Sequence, residues 1–313
     1  MRRKRFQNYV AESRISLPTT GIYAFIVCLL GGLLGNHLWI QFALLVISAF
    51  LMMELNNSNA LIRIYSRMVS CSFIALAVMA YFLFVDIKCG IVQTCFIAFY
   101  LFLFTTYQNS SSVGRVFYAF AMLSLASIFY VQILYFVPVI WILLATNIMI
   151  GCARVYAASL LGLMVPYWFA VGYYTFTDQL LLLSDHFTSL FAIDSHSLWL
   201  DVPLVQIITI GFVALLALVG MINFRINNYR DKIRTRMLFD FFSVMIVFTM
   251  VLMLFQPSNM HFLLAILIVS ASPLIGHFIS LTYSLITNII FCVMLVATLA
   301  LTVCNVWTQF YVF

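Results

Sequence analysis

The chain has 313 residues, 65% of them hydrophobic and 8% charged, with a formal net charge of +6. A soluble domain averages about 45–50% apolar and about 25% charged residues, so this chain cannot cover its own surface in water; lipid must solvate most of it. Only helices or a closed barrel satisfy every backbone polar group in lipid, and the long apolar runs lack the period-two alternation of barrel strands. The expected fold class is therefore all-α: a polytopic transmembrane helical bundle of about ten or eleven spans with a cytoplasmic N-terminus.

Residues 1–18 read as a basic cytoplasmic arm. Arg2, Arg3, Lys4 and Arg5 suit a signal peptide, but Gln7 to Thr20 are too polar for its apolar stretch. The arm is expected to lie on the inner leaflet with Phe6, Tyr9 and Val10 toward lipid. Residues 19–313 are expected to form one transmembrane domain. Span one covers about Gly21 to Leu34, and span two follows the turn at Gly35-Asn36-His37 and runs to Met53. A polar loop, Glu54 to Arg67, leads into span three, Met68 to Val85. Asp86 and Lys88 mark an outer turn before span four, Ile91 to Thr106.

Gln108 to Arg115 form the next inner loop, and Val116 to Ile150 hold two short spans. Span seven, Tyr156 to Phe176, contains Pro166, which is expected to kink it. Residues 177–203 form an extracytoplasmic interfacial segment. Span eight, Leu204 to Ile222, precedes a basic cytoplasmic loop at 223–236, and span nine runs from Met237 to Phe255. After Gln256-Pro257-Ser258-Asn259 come span ten and span eleven, the latter about Leu281 to Val303. Ser270, Ser272, Pro273 and His277 are expected to form the turn between them.

The positive-inside rule supports this order. With the N-terminus inside, the inner segments hold every one of the 15 Lys and Arg residues except Lys88. Asp86, Asp178, Asp185, Asp194 and Asp201 fall outside. The basic residues sit in short juxtamembrane loops, where they meet anionic inner-leaflet lipid, and no basic stripe interleaved with aromatics points to nucleic acid.

The densest polar cluster is Glu54, Asn56, Asn57, Ser58 and Asn59 with Arg63 and Arg67. Asn57 or Ser58 is expected to cap a helix starting near Asn59. That helix would project Arg63 and Arg67, four residues apart, from one face, with Leu61, Ile62 and Ile64 toward lipid. Two guanidiniums so placed match a phosphate, making Glu54, Asn56, Asn57, Asn59, Arg63 and Arg67 a candidate lipid or phosphate site. The same residues also fit an interfacial helix held by bulk anionic lipid.

A weaker cluster is Asp185, His186, Asp194 and His196. Its spacing matches no zinc motif, and it also reads as the polar face of a surface helix. Aromatics from Phe129 to Trp141 and from Tyr167 to Tyr174, opened by Pro138 and Pro166, would line a cavity for an acyl or polyprenyl chain or stack on sugar rings. They equally suit the interfacial belt and packing. Gly31 and Gly35 read as an intramolecular helix contact. The seven cysteines form no CxxC pair and read as small buried hydrophobes.

No metal or cofactor is implied, and the chain carries no Walker A, HExxH or GxSxG motif. No Asp, Glu, Lys or Arg falls at the centre of a span, which disfavours proton-coupled transport. Asp240, four residues after Arg236, reads as its local ion-pair partner.

Glu54-Leu-Asn-Asn-Ser-Asn-Ala-Leu-Ile-Arg63, together with Thr106-Tyr-Gln and Pro166-Tyr-Trp-Phe169, resembles a family of uncharacterised bacterial inner-membrane proteins. The resemblance implies a bacterial inner (cytoplasmic) membrane location and brings no catalytic residues. Two functions remain open. The protein binds or moves a lipid or lipid-linked envelope precursor, or it is a non-catalytic subunit or assembly factor that docks partner membrane proteins.

Overall fold

The structure, a computed structural model, describes residues 5–190 and 202–310, and among them it contains helices and no strands. In chain order the helices are α1 (Phe6–Glu12), α2 (Ser16–Leu30), α3 (Trp39–Asn59), α4 (Met68–Met79), α5 (Tyr81–Val85), α6 (Ile87–Phe104) and α7 (Val113–Phe129). A 3-10 turn (Val131–Tyr135) leads into α8 (Phe136–Thr146), followed by α9 (Ala153–Phe176) and α10 (Leu180–Thr188). The chain then forms α11 (Leu204–Asn227), α12 (Ile233–Phe255), α13 (Met260–Leu281) and α14 (Leu285–Phe310). This is the all-α polytopic bundle that the composition requires.

Seven segments are long and apolar enough to cross a membrane: those of α3, α6, α9, α11, α12, α13 and α14. Helices α1 and α2 pass only as a pair, bent by 91°, and α4, α7 and the Val131–Thr146 pair are shorter. The structure thus supports seven crossings, or eight if the bent pair is one, where ten or eleven are expected; the remaining expected spans fall on shorter helices. The expected span three is broken, however, at Ala80 between α4 and α5. The break frees carbonyls that lipid cannot satisfy. Asn305 of α14 supplies one donor, its side-chain amide giving a 2.9 Å hydrogen bond to the Met79 carbonyl.

All inner loops assigned from charge gather at one end of the bundle. There Arg63 donates to the Arg230 carbonyl at 3.2 Å and Asn147 to the Met237 carbonyl at 3.1 Å. The side-chain amide nitrogen of Gln7 in α1 lies within hydrogen-bond distance of the Phe278 and Ile279 carbonyls and the Thr282 hydroxyl, and its backbone N–H donates to Asn288 at 3.0 Å. The opposite end joins Gln41 to Val85, Phe82 to His261 and Gln132 to Ser189. The first is the basic end of the bundle and the second its far end.

Helix α13 is the axis. It packs against α4, α6, α11 and α12, and 94% of its apolar stretch is buried. Small residues permit this. A Cβ on Gly276 would stand 2.9 Å from the Val69 backbone nitrogen, and one on Gly220 would stand 3.2 Å from Leu274. The turn expected at Ser270 to His277 is therefore absent. Those residues lie inside α13, which carries Pro273 within it, and the chain reverses after Leu281 instead. Burial among four helices stabilises a helix through a proline that in isolation reads as a stop.

Other expectations need correction. Pro166 lies within one continuous α9, on which Trp168 and Phe169 are exposed, and residues 167–174 are absent from the walls of the cavities beside α14 and α10. Asp240 pairs with Arg225 at 3.1 Å across α11 and α12, rather than with Arg236. Cys292 and Cys304 are exposed on α14, unlike the buried Cys28, Cys71, Cys89 and Cys95. Gly31 does make an intramolecular contact, with the Tyr81 ring against it and the Tyr81 hydroxyl donating to its carbonyl at 2.7 Å.

Candidate functional site

The polar loop after α3 is not the helix its spacing implies. Helix α3 continues through Glu54, Asn56, Asn57 and Ser58 to Asn59, and Ala60 ends it in the left-handed region at φ 48°. Residues 61–67 are non-helical, and Leu61 and Ile62 are buried rather than turned to lipid. Asn56 shapes the loop: its Oδ1 accepts from Ile62 N at 3.3 Å, and its Nδ2 donates to the Ser66 carbonyl at 3.1 Å. Asn59 accepts from Arg234 at 2.8 Å, and the same guanidinium nitrogen donates to the Phe104 carbonyl at 3.2 Å. These two asparagines are thus committed to holding the basic end together. Asn57 is exposed and Glu54 half-buried.

Without the helix, Arg63 and Arg67 part company. Arg63 turns to the α11–α12 connection, where its Nη1 lies 3.9 Å from Asp231. Asp231 in turn accepts from His277 Nε2 at 3.0 Å, and both side chains of that pair are almost completely buried. The rings of Phe224 and Phe239 pack on the imidazole at 5.4 and 4.9 Å. Ser66 and Ser280 hydroxyls share a 2.9 Å hydrogen bond beside it. Sequence reasoning missed this pair. Its one signal was Asp231, the single acid among the basic residues of 223–236.

Arg67 turns the other way. It lies over the Tyr65 ring at 5.5 Å, and its Nε donates to the Tyr65 hydroxyl at 3.4 Å. Arg14, from the turn between α1 and α2, lies over the same ring at 6.0 Å. Arg67 Nη1 is buried and has no hydrogen-bond partner among the described residues. The next residue, Met68, begins the wall of a cavity of about 330 Å³ bounded by α1, α2, α4, α11, α13 and α14.

That cavity is mostly apolar, with Leu76, Leu216, Ile275, Phe291 and Met294 in its walls. Hydroxyls of Ser16, Thr19 and Thr20 line its basic end together with the buried Cys71. Leu295 and Leu299 also line it and are 39% and 44% exposed, so it opens sideways onto the lipid-facing surface of α14. Helix α1 closes the basic end with Val10. Phe6 and Tyr9 are exposed as expected, whereas Val10 faces the cavity.

At the far end, Asp185 and His186 sit on α10, with Asp185 exposed and His186 packed on Tyr167 and Phe187. Asp194 and His196 lie outside the described residues. Among the described residues no group of three His, Cys, Asp or Glu is placed to hold a metal ion.

No protein family matches this chain, and neither a characterised sequence nor a solved structure shows significant similarity to it. The functional reading therefore rests on the geometry of the bundle.

Proposed function

We propose that this membrane protein binds an anionic lipid, one acyl chain entering the cavity behind α14 and the head group meeting Arg67 and Arg14. The observation that carries this reading is a laterally open apolar cavity whose wall begins at Met68, directly after Arg67, whose buried Nη1 has no hydrogen-bond partner among the described residues. The hydrophobic effect does not draw a chain from bilayer to cavity, because both are apolar. Void avoidance does. Left empty, the cavity walls would forfeit the dispersion contacts that a chain inside it supplies.

The head group then decides which lipid enters. A guanidinium meets a phosphate as a planar fork, whereas a lysine ammonium acts as a point charge. The hydroxyls of Ser16, Thr19 and Thr20 line that end and donate to backbone carbonyls of residues 13–17, so toward a ligand they present acceptor lone pairs that suit a head-group hydroxyl. The charge asymmetry puts the basic end in the cytoplasm, so the lipid comes from the inner leaflet. On this reading the membrane is the bacterial inner membrane, and a lipid-linked envelope precursor with a phosphate is a ligand of the same kind. The buried α13 fills the middle of the bundle, which supports holding a lipid over moving a polar cargo through it.

The test is native mass spectrometry of protein extracted from its membrane in mild detergent. A retained anionic lipid is expected, and it should be lost from Arg67→Lys and from Ala75→Trp, which fills the cavity, at unchanged expression. Wild-type protein without lipid, or equal retention in both variants, overturns the proposal. A stoichiometric protein companion in place of lipid would favour the assembly-subunit reading.

A further inference from the structure

A second cavity, of about 300 Å³, lies at the far end and takes no part in the lipid reading. It is formed where the end of α7, the 3-10 turn after it, α10 and the start of α13 converge, with Phe129, Gln132, His186, Ser189, Asn259 and Phe262 in its lining. Its character is the reverse of the first cavity. Carboxamides from Gln132 and Asn259, an imidazole and a hydroxyl share the wall with aromatic rings, and none of its lining residues is an Asp, Glu, Lys or Arg.

Two features show that this wall is built and yet incomplete. Gln132 Nε2 donates to the Ser189 carbonyl at 3.4 Å, and the Ser189 hydroxyl donates to the His186 carbonyl at 2.7 Å, which ties α10 to the 3-10 turn. Tyr130 stacks on Phe262 at 4.8 Å with the planes 13° apart and donates to Gln256 at 3.4 Å, which fixes the aromatic side. His186 Nε2, by contrast, is buried without a hydrogen-bond partner among the described residues. Burial lowers the pKa of this histidine below its ordinary value, with an opposing contribution from the Ser127 backbone, so the imidazole favours its neutral form.

We propose that this cavity binds a neutral saccharide unit on the side of the membrane away from the arginines. The amides of Gln132 and Asn259 carry both donors and acceptors, the neutral imidazole has one of each, and the Ser189 hydroxyl, whose proton goes to the His186 carbonyl, accepts; the mixture suits ligand hydroxyls, themselves both donor and acceptor. A pyranose also presents an apolar C–H face, and the Phe129 and Phe262 rings offer a matching surface. The uncharged wall disfavours phosphates, carboxylates and amines, which would enter without a counter-charge. The cavity is at the lower end of the size range for small-molecule sites, enough for one ring.

The experiment uses the full chain in nanodiscs of glycolipid-free phospholipid, because sugar-headed detergents would compete. Saturation-transfer NMR would measure binding of methyl β-D-glucoside, for a free sugar, and of octyl β-D-glucoside below its micellar concentration, for a chain-borne one. Saturable binding of one or both is expected, tighter for the octyl compound if the natural sugar is carried on a lipid. Gln132→Leu and His186→Phe should each weaken it about tenfold, the loss of one hydrogen bond. Ser184→Ala, on the exposed face of α10, should leave it unchanged. No saturable binding to the wild type, equal binding in both cavity variants, or inorganic phosphate competing as well as the sugar overturns the proposal. Because the site lies at the opposite end of α13 from Arg67, it can fail while the lipid proposal stands.

Discussion

Breaking the Asp231–His277 pair from either side should give unequal losses of stability, and the order of the two is set by what each deletion leaves behind. The histidine side chain is 2% exposed and the aspartate side chain 4%, so neither can turn to water. Because a carboxylate only accepts, His277 Nε2 carries the shared proton. Asp231→Ala strands that one N–H, a cost of about 1–3 kcal/mol, and forfeits the half-exposed Arg63 contact, which contributes about 0–1 kcal/mol. His277→Phe keeps the ring against Phe224 and Phe239 but leaves a buried carboxylate with only Arg63 at 3.9 Å, at a cost of about 3–5 kcal/mol.

The double variant removes both partners and should therefore be more stable than His277→Phe alone, with a coupling of about 2 kcal/mol or more. The assay is unfolding in mixed micelles by titration with sodium dodecyl sulfate, followed by far-UV circular dichroism. If Asp231→Ala is the more damaging single change, or if the two losses add within about 0.5 kcal/mol, the reasoning about this buried pair is wrong.

Other tests address the remaining parts of the argument. In a cysteine-free background, a cysteine at Ser195 should react with an impermeant maleimide in intact spheroplasts, and one at Asn227 should not; the reverse pattern would invert the bundle. Gly276→Ala should destabilise by about 1–3 kcal/mol, because its Cβ meets the Val69 backbone at 2.9 Å. Gly172→Ala, with open space around it, should be neutral or slightly stabilising, and equal effects would refute the close α4–α13 contact. Arg67→Lys should lose bound anionic lipid while Arg63→Lys keeps it, since the structure separates their partners; an identical response would restore a shared site. A reporter active only in the cytoplasm, fused after Phe313, should be silent if the expected eleven spans all cross, and activity would indicate an even number.

The fold class was legible because it is a property of composition. Apolar runs such as Leu204 to Ile222 or Ile286 to Val303 have no alternative to helix in lipid, and the arginines mark which ends belong together. Boundaries were legible wherever charge or Gly, Asn and Pro punctuated the runs, as at Asp86, whose side chain accepts from Lys88 N at 2.9 Å to start α6. The reading failed where local signals competed with packing. Asn57 and Ser58 looked like a helix start because short polar side chains favour caps. In the bundle they lie in the last turn of α3 instead, which Ala60 ends, and Asn56 and Asn59 beside them find partners on Ser66 and Arg234.

Sequence alone therefore determined that the protein is a helical membrane bundle and that every cation except Lys88 belongs to one set of loops, because solvation and charge act on each segment separately. Tertiary structure alone decided that Arg63 and Arg67 diverge, that Asp231 meets His277 across 46 residues of chain, and that a cavity opens behind α14. Those features arise from which helix faces approach one another. In a chain whose spans are apolar on every side, no periodicity records which face that is.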